Sequence, residues 1–258
     1  MESARAIVII PTYNEAESLP TTVAGILDAV PAASILIVDD ASPDGTGTIA
    51  DRLADDPRVR VLHRTARDGL GHAYLAGFER ALADGYDAIV EMDADGSHPA
   101  SALPAILAGL RDADLVIGSR WTAGGAVANW PRRREWLSRV ANTYARIALR
   151  IPVRDSTAGY RAFRAGALRE IDLAHVESRG YCFQIDMTVR VVDHGLTVAE
   201  VPITFVDRVA GRSKMNGAIV AEAMLRVTQW GLQRLFRPRR QSRAALESSA
   251  KGAVPPSD

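Results

Sequence analysis

The chain is 258 residues long, 47% hydrophobic and formally neutral at pH 7, so it can bury a sizeable core and carries no global attraction for nucleic acid. Its single Cys182 excludes an intrachain disulfide and fits a reducing compartment. No charged-then-apolar leader is evident, and no apolar run reaches the about eighteen residues of a membrane span.

Ala6–Ile10 is a short apolar run rich in β-branched residues and reads as a buried strand. Helical spacing follows over Ser18–Val30, then a second buried strand at Ile35–Val38 and a helix near Thr48–Ala54. A strand at Val59–Leu62, a loop over Arg64–Gly71 and a helix over His72–Ala83 come next. Ala88–Met92 is the fourth strand, Ser101–Leu110 a helix and Leu115–Gly118 the fifth strand. Strands alternating with helices predict an α/β fold with a wound, mostly parallel sheet. In such sheets ligands bind beyond the carboxyl ends of the strands. Polar clusters stand at those ends: Tyr13 and Glu15 after the first, Asp39 and Asp40 after the second, Asp93 and Asp95 after the fourth, Ser119 and Arg120 after the fifth.

Asp93 and Asp95 are spaced i and i+2, which on an extended chain puts both carboxylates on one side. A hard divalent cation, Mg²⁺ or Mn²⁺, suits such oxygen ligands and would in turn attract phosphate. The same residues also describe a strand closing in an Asp-rich turn. An EF-hand is excluded, because His98 and Pro104 stand where that loop needs Gly and Glu. An aspartyl-phosphate phosphatase with Asp93 as nucleophile stays open as the hydrolase alternative. Gly45-Thr46-Gly47-Thr48-Ile49-Ala50 matches a dinucleotide fingerprint, but Asp39–Asp44 separate it from its strand and no acidic residue closes the third strand.

The second half is less regular. Trp121–Pro131 is a long loop and a candidate lid. Arg134–Leu149 reads as helix, Asp155–Arg161 as a polar turn entering an extended stretch to Phe163, Phe183–Val192 as helix, and Thr197–Val206 as one or two strands interrupted at Pro202. Arg208-Val209-Ala210-Gly211-Arg212-Ser213-Lys214 is either a phosphate-binding loop or a solvated basic turn. Ala218–Phe236 is amphipathic and leads into Arg237, Arg239, Arg240 and Arg243. That pairing suits either a helix packed on the domain or contact with an anionic membrane surface. Residues 237–258 are expected to form a disordered basic tail.

Taken in order, Pro11-Thr12-Tyr13-Asn14-Glu15, Asp39-Asp40-Ala41-Ser42-Pro43-Asp44-Gly45-Thr46, Met92-Asp93-Ala94-Asp95, Gly118-Ser119-Arg120, Glu200-Val201-Pro202-Ile203, Val206-Asp207-Arg208 and Ser213-Lys214 resemble the polyprenol-phosphate (dolichol-phosphate) mannose synthases, inverting glycosyltransferases of the GT-A type. The resemblance implies one catalytic domain over residues 1–236: a nucleotide-sugar half (1–120), an acceptor and phosphate half (121–217) and a C-terminal amphipathic helix (218–236). It implies that Pro11, Tyr13, Glu15, Val38 and Asp40 hold the nucleoside, and that Asp93, Ala94 and Asp95 hold metal and diphosphate. Arg120, Arg208 and Lys214 would clamp phosphates, and Asp95, Arg120, Arg208 and Lys214 would carry catalysis. Some relatives place Gln two residues after the second Asp as a third metal ligand; Ser97, a weaker one, stands there in this chain. The implied donor is GDP-mannose and the acceptor a polyprenyl phosphate in the membrane, with UDP-glucose as the alternative donor of a sister enzyme. Some relatives carry C-terminal transmembrane helices that this chain lacks. The expectation is therefore a peripheral enzyme on the cytoplasmic face, reaching its lipid directly or through an integral-membrane partner, with no nucleic-acid partner.

Overall fold

The computed structural model of the chain describes residues 5–176, 181–207 and 217–235. Its strands are β1 (Ala6–Thr12), β2 (Ser34–Asp39), β3 (Val59–His63), β4 (Ala88–Glu91), β5 (Leu115–Ser119), β6 (Ala126–Ala128), β7 (Arg161–Arg164), β8 (Val198–Pro202) and β9 (Thr204–Val206). Its helices are α1 (Leu19–Ala29), α2 (Thr46–Leu53), α3 (Leu70–Ala83), α4 (Leu103–Gly109), α5 (Arg132–Leu149), α6 (Ala165–Glu170), α7 (Tyr181–Asp193) and α8 (Gly217–Leu235). Local chemistry sets several boundaries. Pro20 sits in the first turn of α1, where a missing N–H costs nothing. Arg150 ends α5 in the left-handed conformation at φ +52°, and Pro152 blocks any continuation.

One sheet of seven strands runs in the order β3-β2-β1-β4-β7-β5-β8. β7 is antiparallel to β4 and β5, while the other pairs are parallel. β6 and β9 form a separate parallel pair. The chain winds outward from β1 to β3, then crosses back to β4, so β1 and β4 flank the point where the winding reverses. In wound sheets of this kind that point, beyond the strand ends, is where ligands bind. Because β7 and β8 come from the second half, the two proposed halves share one sheet.

Alternation along β1 builds both layers of core. Ile7 and Ile9 face Tyr74, Phe78 and Ala81 of α3. Val8 and Ile10 face Leu19, Val23 and Ile26 of α1 and Leu103 and Ile106 of α4. α3 lies so close that a Cβ on Gly77 would come within 2.6 Å of Ile9 Cγ2. The stretch expected to be a loop, Trp121–Pro131, contains β6 and is tied to β9. β6 has three residues, too short for periodicity to reveal it. The six-residue α6 is missed for the same reason.

Candidate active site

The polar clusters expected at the strand ends do share one edge. At the nucleoside end, the Asp40 N–H donates to the Thr12 carbonyl at 3.1 Å, which joins the ends of β1 and β2. Asp39 braces the same corner by accepting from Thr12 Oγ1 at 2.9 Å and from Ser42 Oγ at 2.6 Å. Asp40 itself meets Arg64 Nη1 at 2.6 Å. Burial nevertheless raises its pKa above the ordinary value, outweighing the Arg64 attraction. The Tyr13 ring lies under Arg67, 3.9 Å from guanidinium carbon to ring centroid. The Glu15 N–H donates to Thr46 Oγ1 at 3.0 Å, and its carboxylate accepts from Ser18 Oγ at 3.0 Å. Pro11 is half-buried in β1. The Val38 side chain is wholly buried beside α3, which leaves its backbone as the part able to meet a ligand.

The acidic pair follows β4 directly. Tyr74 Oη donates to Asp93 Oδ1 at 3.2 Å, and the Asp93 N–H donates to His98 Nδ1 at 3.1 Å. That second bond makes Nδ1 an acceptor, and the His98 ring is held by stacking on Tyr160 at 5.0 Å. Burial and the nearby Asp93 push the Tyr74 phenol well above its usual pKa, so it stays a donor. Asp95 Oδ1 accepts from both the N–H and the Oγ of Ser97, at 3.0 and 2.6 Å. The structure thus places Ser97 as a brace on Asp95. The Ala94 carbonyl accepts from Thr22 Oγ1 at 2.9 Å, which anchors the turn to α1.

These residues fit a hard divalent cation. Their donor set is all oxygen, and Asp93 keeps a side chain 27% exposed. Gly159 faces it: a Cβ there would lie 3.6 Å from Asp93 Oδ2 and 3.8 Å from Oδ1, so the absent side chain leaves that side of the carboxylate open. Among the described residues no group of three or more His, Cys, Asp or Glu converges on one point. Two carboxylates with the remaining positions left to phosphate oxygens and water is the usual arrangement for Mg²⁺.

Arg120 follows β5 and is almost fully buried. Its N–H and Nε donate to Asp155 Oδ2, both at 2.8 Å, and its Nη2 donates to Oδ1 at 2.6 Å. Glu200 of β8 holds the turn that delivers Asp155, accepting the N–H groups of Arg154 and Asp155 at 2.9 and 3.0 Å. Arg161, fully buried, clasps the other side of that turn through the Ser156 and Ala158 carbonyls at 2.7 and 2.6 Å. Directly opposite Arg161 in the sheet stands Glu91, two residues before Asp93. Burial raises the Glu91 pKa to about 7 and lowers that of Arg161 to about 10, so desolvation outweighs their mutual attraction. Gln184 Nε2 donates to Glu91 Oε2 at 2.8 Å, while Glu91 Oε1 and Gln184 Oε1 have no donor among the described residues. A proton on Glu91 would relieve one of those two acceptors.

Two arginines of α5 are engaged with carboxylates of their own. Arg134 pairs with Asp207 at 2.9 Å and stacks on Trp130, and Arg139 pairs with Glu135. Arg208 and Lys214, with the rest of the basic loop, lie outside the described residues, as does the tail from residue 236. Sequence reasoning did not assign Arg64, Tyr74, His98, Asp155 or Gly159 to the site. Asp155 and Gly159 were visible as a polar turn, and Glu200 as part of a motif. Their partners could not be read, because each pairing joins segments far apart in the chain.

The chain matches the pattern described as glycosyl transferase family 2 over residues 7–172. It is 58% identical over 229 residues to an undecaprenyl-phosphate mannosyltransferase of Micrococcus luteus, covering 88% of this chain and 94% of that protein. It is 54% identical over 239 residues to a polyprenol monophosphomannose synthase of Mycolicibacterium smegmatis, covering 91% of this chain and 90% of that one. Its fold resembles the crystal structure of glucosyl-3-phosphoglycerate synthase from Mycobacterium tuberculosis in complex with Mn²⁺, uridine diphosphate and glucosyl-3-phosphoglycerate. The TM-score is 0.64 at 21% identity, over 92% of this chain and 81% of that one.

Proposed function

The chain belongs to glycosyl transferase family 2, and on that premise we propose that it moves mannose from GDP-mannose to a polyprenyl phosphate, with inversion, to give polyprenyl-phosphate mannose. It is a glycosyltransferase with the GT-A-type α/β fold. The observation that carries the reaction is its likeness, along nearly the whole chain, to two enzymes named for undecaprenyl-phosphate mannosyl transfer and polyprenol monophosphomannose synthesis. The strand-end geometry supports the finer reading. The corner of Pro11, Tyr13, Glu15, Val38 and Asp40 takes the nucleoside, and the Asp93–Ala94–Asp95 turn takes the diphosphate.

A Mg²⁺ or Mn²⁺ held by Asp93 and Asp95, with Ser97 bracing the second carboxylate, would supply positive charge where the diphosphate departs. The protein's own contribution is orientation. Tyr74 fixes one oxygen of Asp93, and Asp155 fixes the Arg120 guanidinium beyond β5. Arg208 and Lys214 are assigned to the phosphates from sequence alone. The nucleophile is an oxygen of the acceptor phosphate, already ionised near neutral pH, so no strong general base is required. Its lone pair forms the new bond to the anomeric carbon as the bond to the diphosphate oxygen breaks. The electron pair leaves with GDP, and the displacement yields a β-linked product.

Among the described residues no helix is long and apolar enough to cross a membrane. Because its acceptor is a membrane lipid, the proposed reading has the enzyme meet it at the cytoplasmic face, directly or through a membrane partner. Calorimetric titration with GDP-mannose and with UDP-glucose, each with and without Mg²⁺ or Mn²⁺, tests the donor reading without lipid. Metal-dependent binding of GDP-mannose alone is expected. Preference for UDP-glucose would change the product, and binding of neither would overturn the site assignment.

A further inference from the structure

The bond from the Asp93 N–H to His98 Nδ1, 3.1 Å long, closes the turn that carries both acidic side chains. Strand geometry explains why a side chain is needed there. On one side of β4, the Met92 N–H still reaches the Ile9 carbonyl of β1 at 3.2 Å. On the other side, the ladder to β7 ends where Glu91 faces Arg161. Successive residues of a strand turn their N–H groups to opposite neighbours, so the Asp93 N–H points toward β7 just beyond the last paired residue. A backbone donor withheld from water needs an acceptor. His98 Nδ1 stands in for the missing strand carbonyl. Gly96, at φ +73°, lets the chain curl back to deliver it. Inside the closed turn, Asp95 Oδ1 accepts the Ser97 N–H and Oγ at 3.0 and 2.6 Å, so the second carboxylate is set by the same closure.

The imidazole is itself held in place. Its side chain is 2% exposed, stacks on Tyr160 with ring centroids 5.0 Å apart, and meets Phe205 of β9 edge-on at 5.5 Å. The neighbouring Ser97 carbonyl accepts the Val206 N–H of β9 at 3.2 Å. With Nδ1 accepting, the ring proton sits on Nε2, which lies 4.0 Å from Asp93 Oδ2. That is beyond hydrogen-bond reach, so the ring stands beside Oδ2 without engaging it, while Tyr74 holds Oδ1. We propose that His98 is a positioning residue for the divalent cation: through Nδ1 it locks the Asp93 backbone, and with it the spacing of the Asp93 and Asp95 carboxylates. The inference rests on the reading of those two residues as the cation's ligands. A rival role would need only the ring, as a filler between Tyr160 and Phe205. The two roles call for different substitutes. Asn carries a carbonyl oxygen where His carries Nδ1 but has no ring, and Phe keeps the ring but has no acceptor.

The test titrates Mn²⁺ into the full chain with GDP present and reads the free ion by its paramagnetic resonance signal. His98→Asn should bind within about threefold of the parent and His98→Phe at least about tenfold more weakly, the range for groups that orient a metal ligand. Binding by His98→Phe equal to the parent's, or binding by His98→Asn as weak as that of His98→Phe or weaker, would overturn the proposal. Circular dichroism melts show whether each variant folds. The parent alone supplies a second measurement that no folding defect can obscure. Its His98 nitrogen resonances should show a bare Nδ1 and a protonated Nε2, and a proton on Nδ1 would overturn the proposal. A parent that takes up no Mn²⁺ with GDP would overturn the cation reading and this inference with it. Uptake by the parent that His98→Phe retains in full would overturn this inference alone.

Discussion

Replacing Asp155 by Asn should be among the most damaging single changes of this site. The carboxylate is fully buried and receives three N–H groups of Arg120 at 2.6–2.8 Å, while the Arg120 side chain is 9% exposed. Asn keeps the volume but removes the charge, and it sets an amide NH₂ against a guanidinium that has little water to turn to. Breaking a buried pair on one side costs about 3–5 kcal/mol, mostly the penalty of the charge left behind. For a chain of this size that converts to a fall in Tm of roughly 10 °C. Thermal melts of Asp155→Asn, Arg120→Gln and the double variant form a cycle whose coupling energy isolates the pair. We expect the double variant to be more stable than Asp155→Asn, because the orphaned charge is gone. Transfer should fall at least about tenfold in Asp155→Asn as Arg120 loses its orientation. A melt within about 2 °C of the parent would refute the assignment of Asp155 as the anchor of a desolvated arginine.

Gly159→Ala should melt close to the parent and weaken metal-dependent donor binding about tenfold by calorimetry, because its Cβ would stand 3.6 Å from Asp93 Oδ2. Gly77→Ala should lower the urea midpoint by about 1–3 kcal/mol worth of stability, since its Cβ meets the buried Ile9 at 2.6 Å; a higher midpoint would show that helix propensity wins instead. Glu91→Gln carries a pH signature. The folded state raises the Glu91 pKa from 4.5 to about 7, so its contribution to stability is complete below 4.5 and is lost as pH rises through 7. Gln does not titrate, so urea melts should show the variant gaining on the parent across that window by up to roughly 3 kcal/mol. A constant difference between the two would contradict a buried, protonatable Glu91.

How much of this was legible in the sequence follows the range over which each signal acts. β1, β2, β3, β4 and β5 and the helices between them were readable because apolar runs and turn residues are local. The structure moves their bounds by only a residue or two, as where β1 continues through Pro11 to Thr12. Asp93 and Asp95 were readable because a spacing of two is itself geometric. The antiparallel β7 was not readable, because direction is decided by which strands it is wedged between, here β4 and β5. Nor was the grip of Asp155 on Arg120, which links positions 35 residues apart. An arginine expected to wait for phosphate turns out to be held by a carboxylate, and that partner is a property of the fold rather than of any motif.

The most direct test of the mannosyltransferase account is transfer of radiolabelled mannose from GDP-mannose into a polyprenyl phosphate, with the product read in the organic phase. The account predicts organic-soluble mannose from GDP-mannose, none of the glucose from UDP-glucose, loss of product on chelation, recovery with Mg²⁺ or Mn²⁺, and no transfer by Asp95→Ala. Undiminished transfer by Asp95→Ala, or release of water-soluble sugar or phosphate with no lipid product, would contradict it.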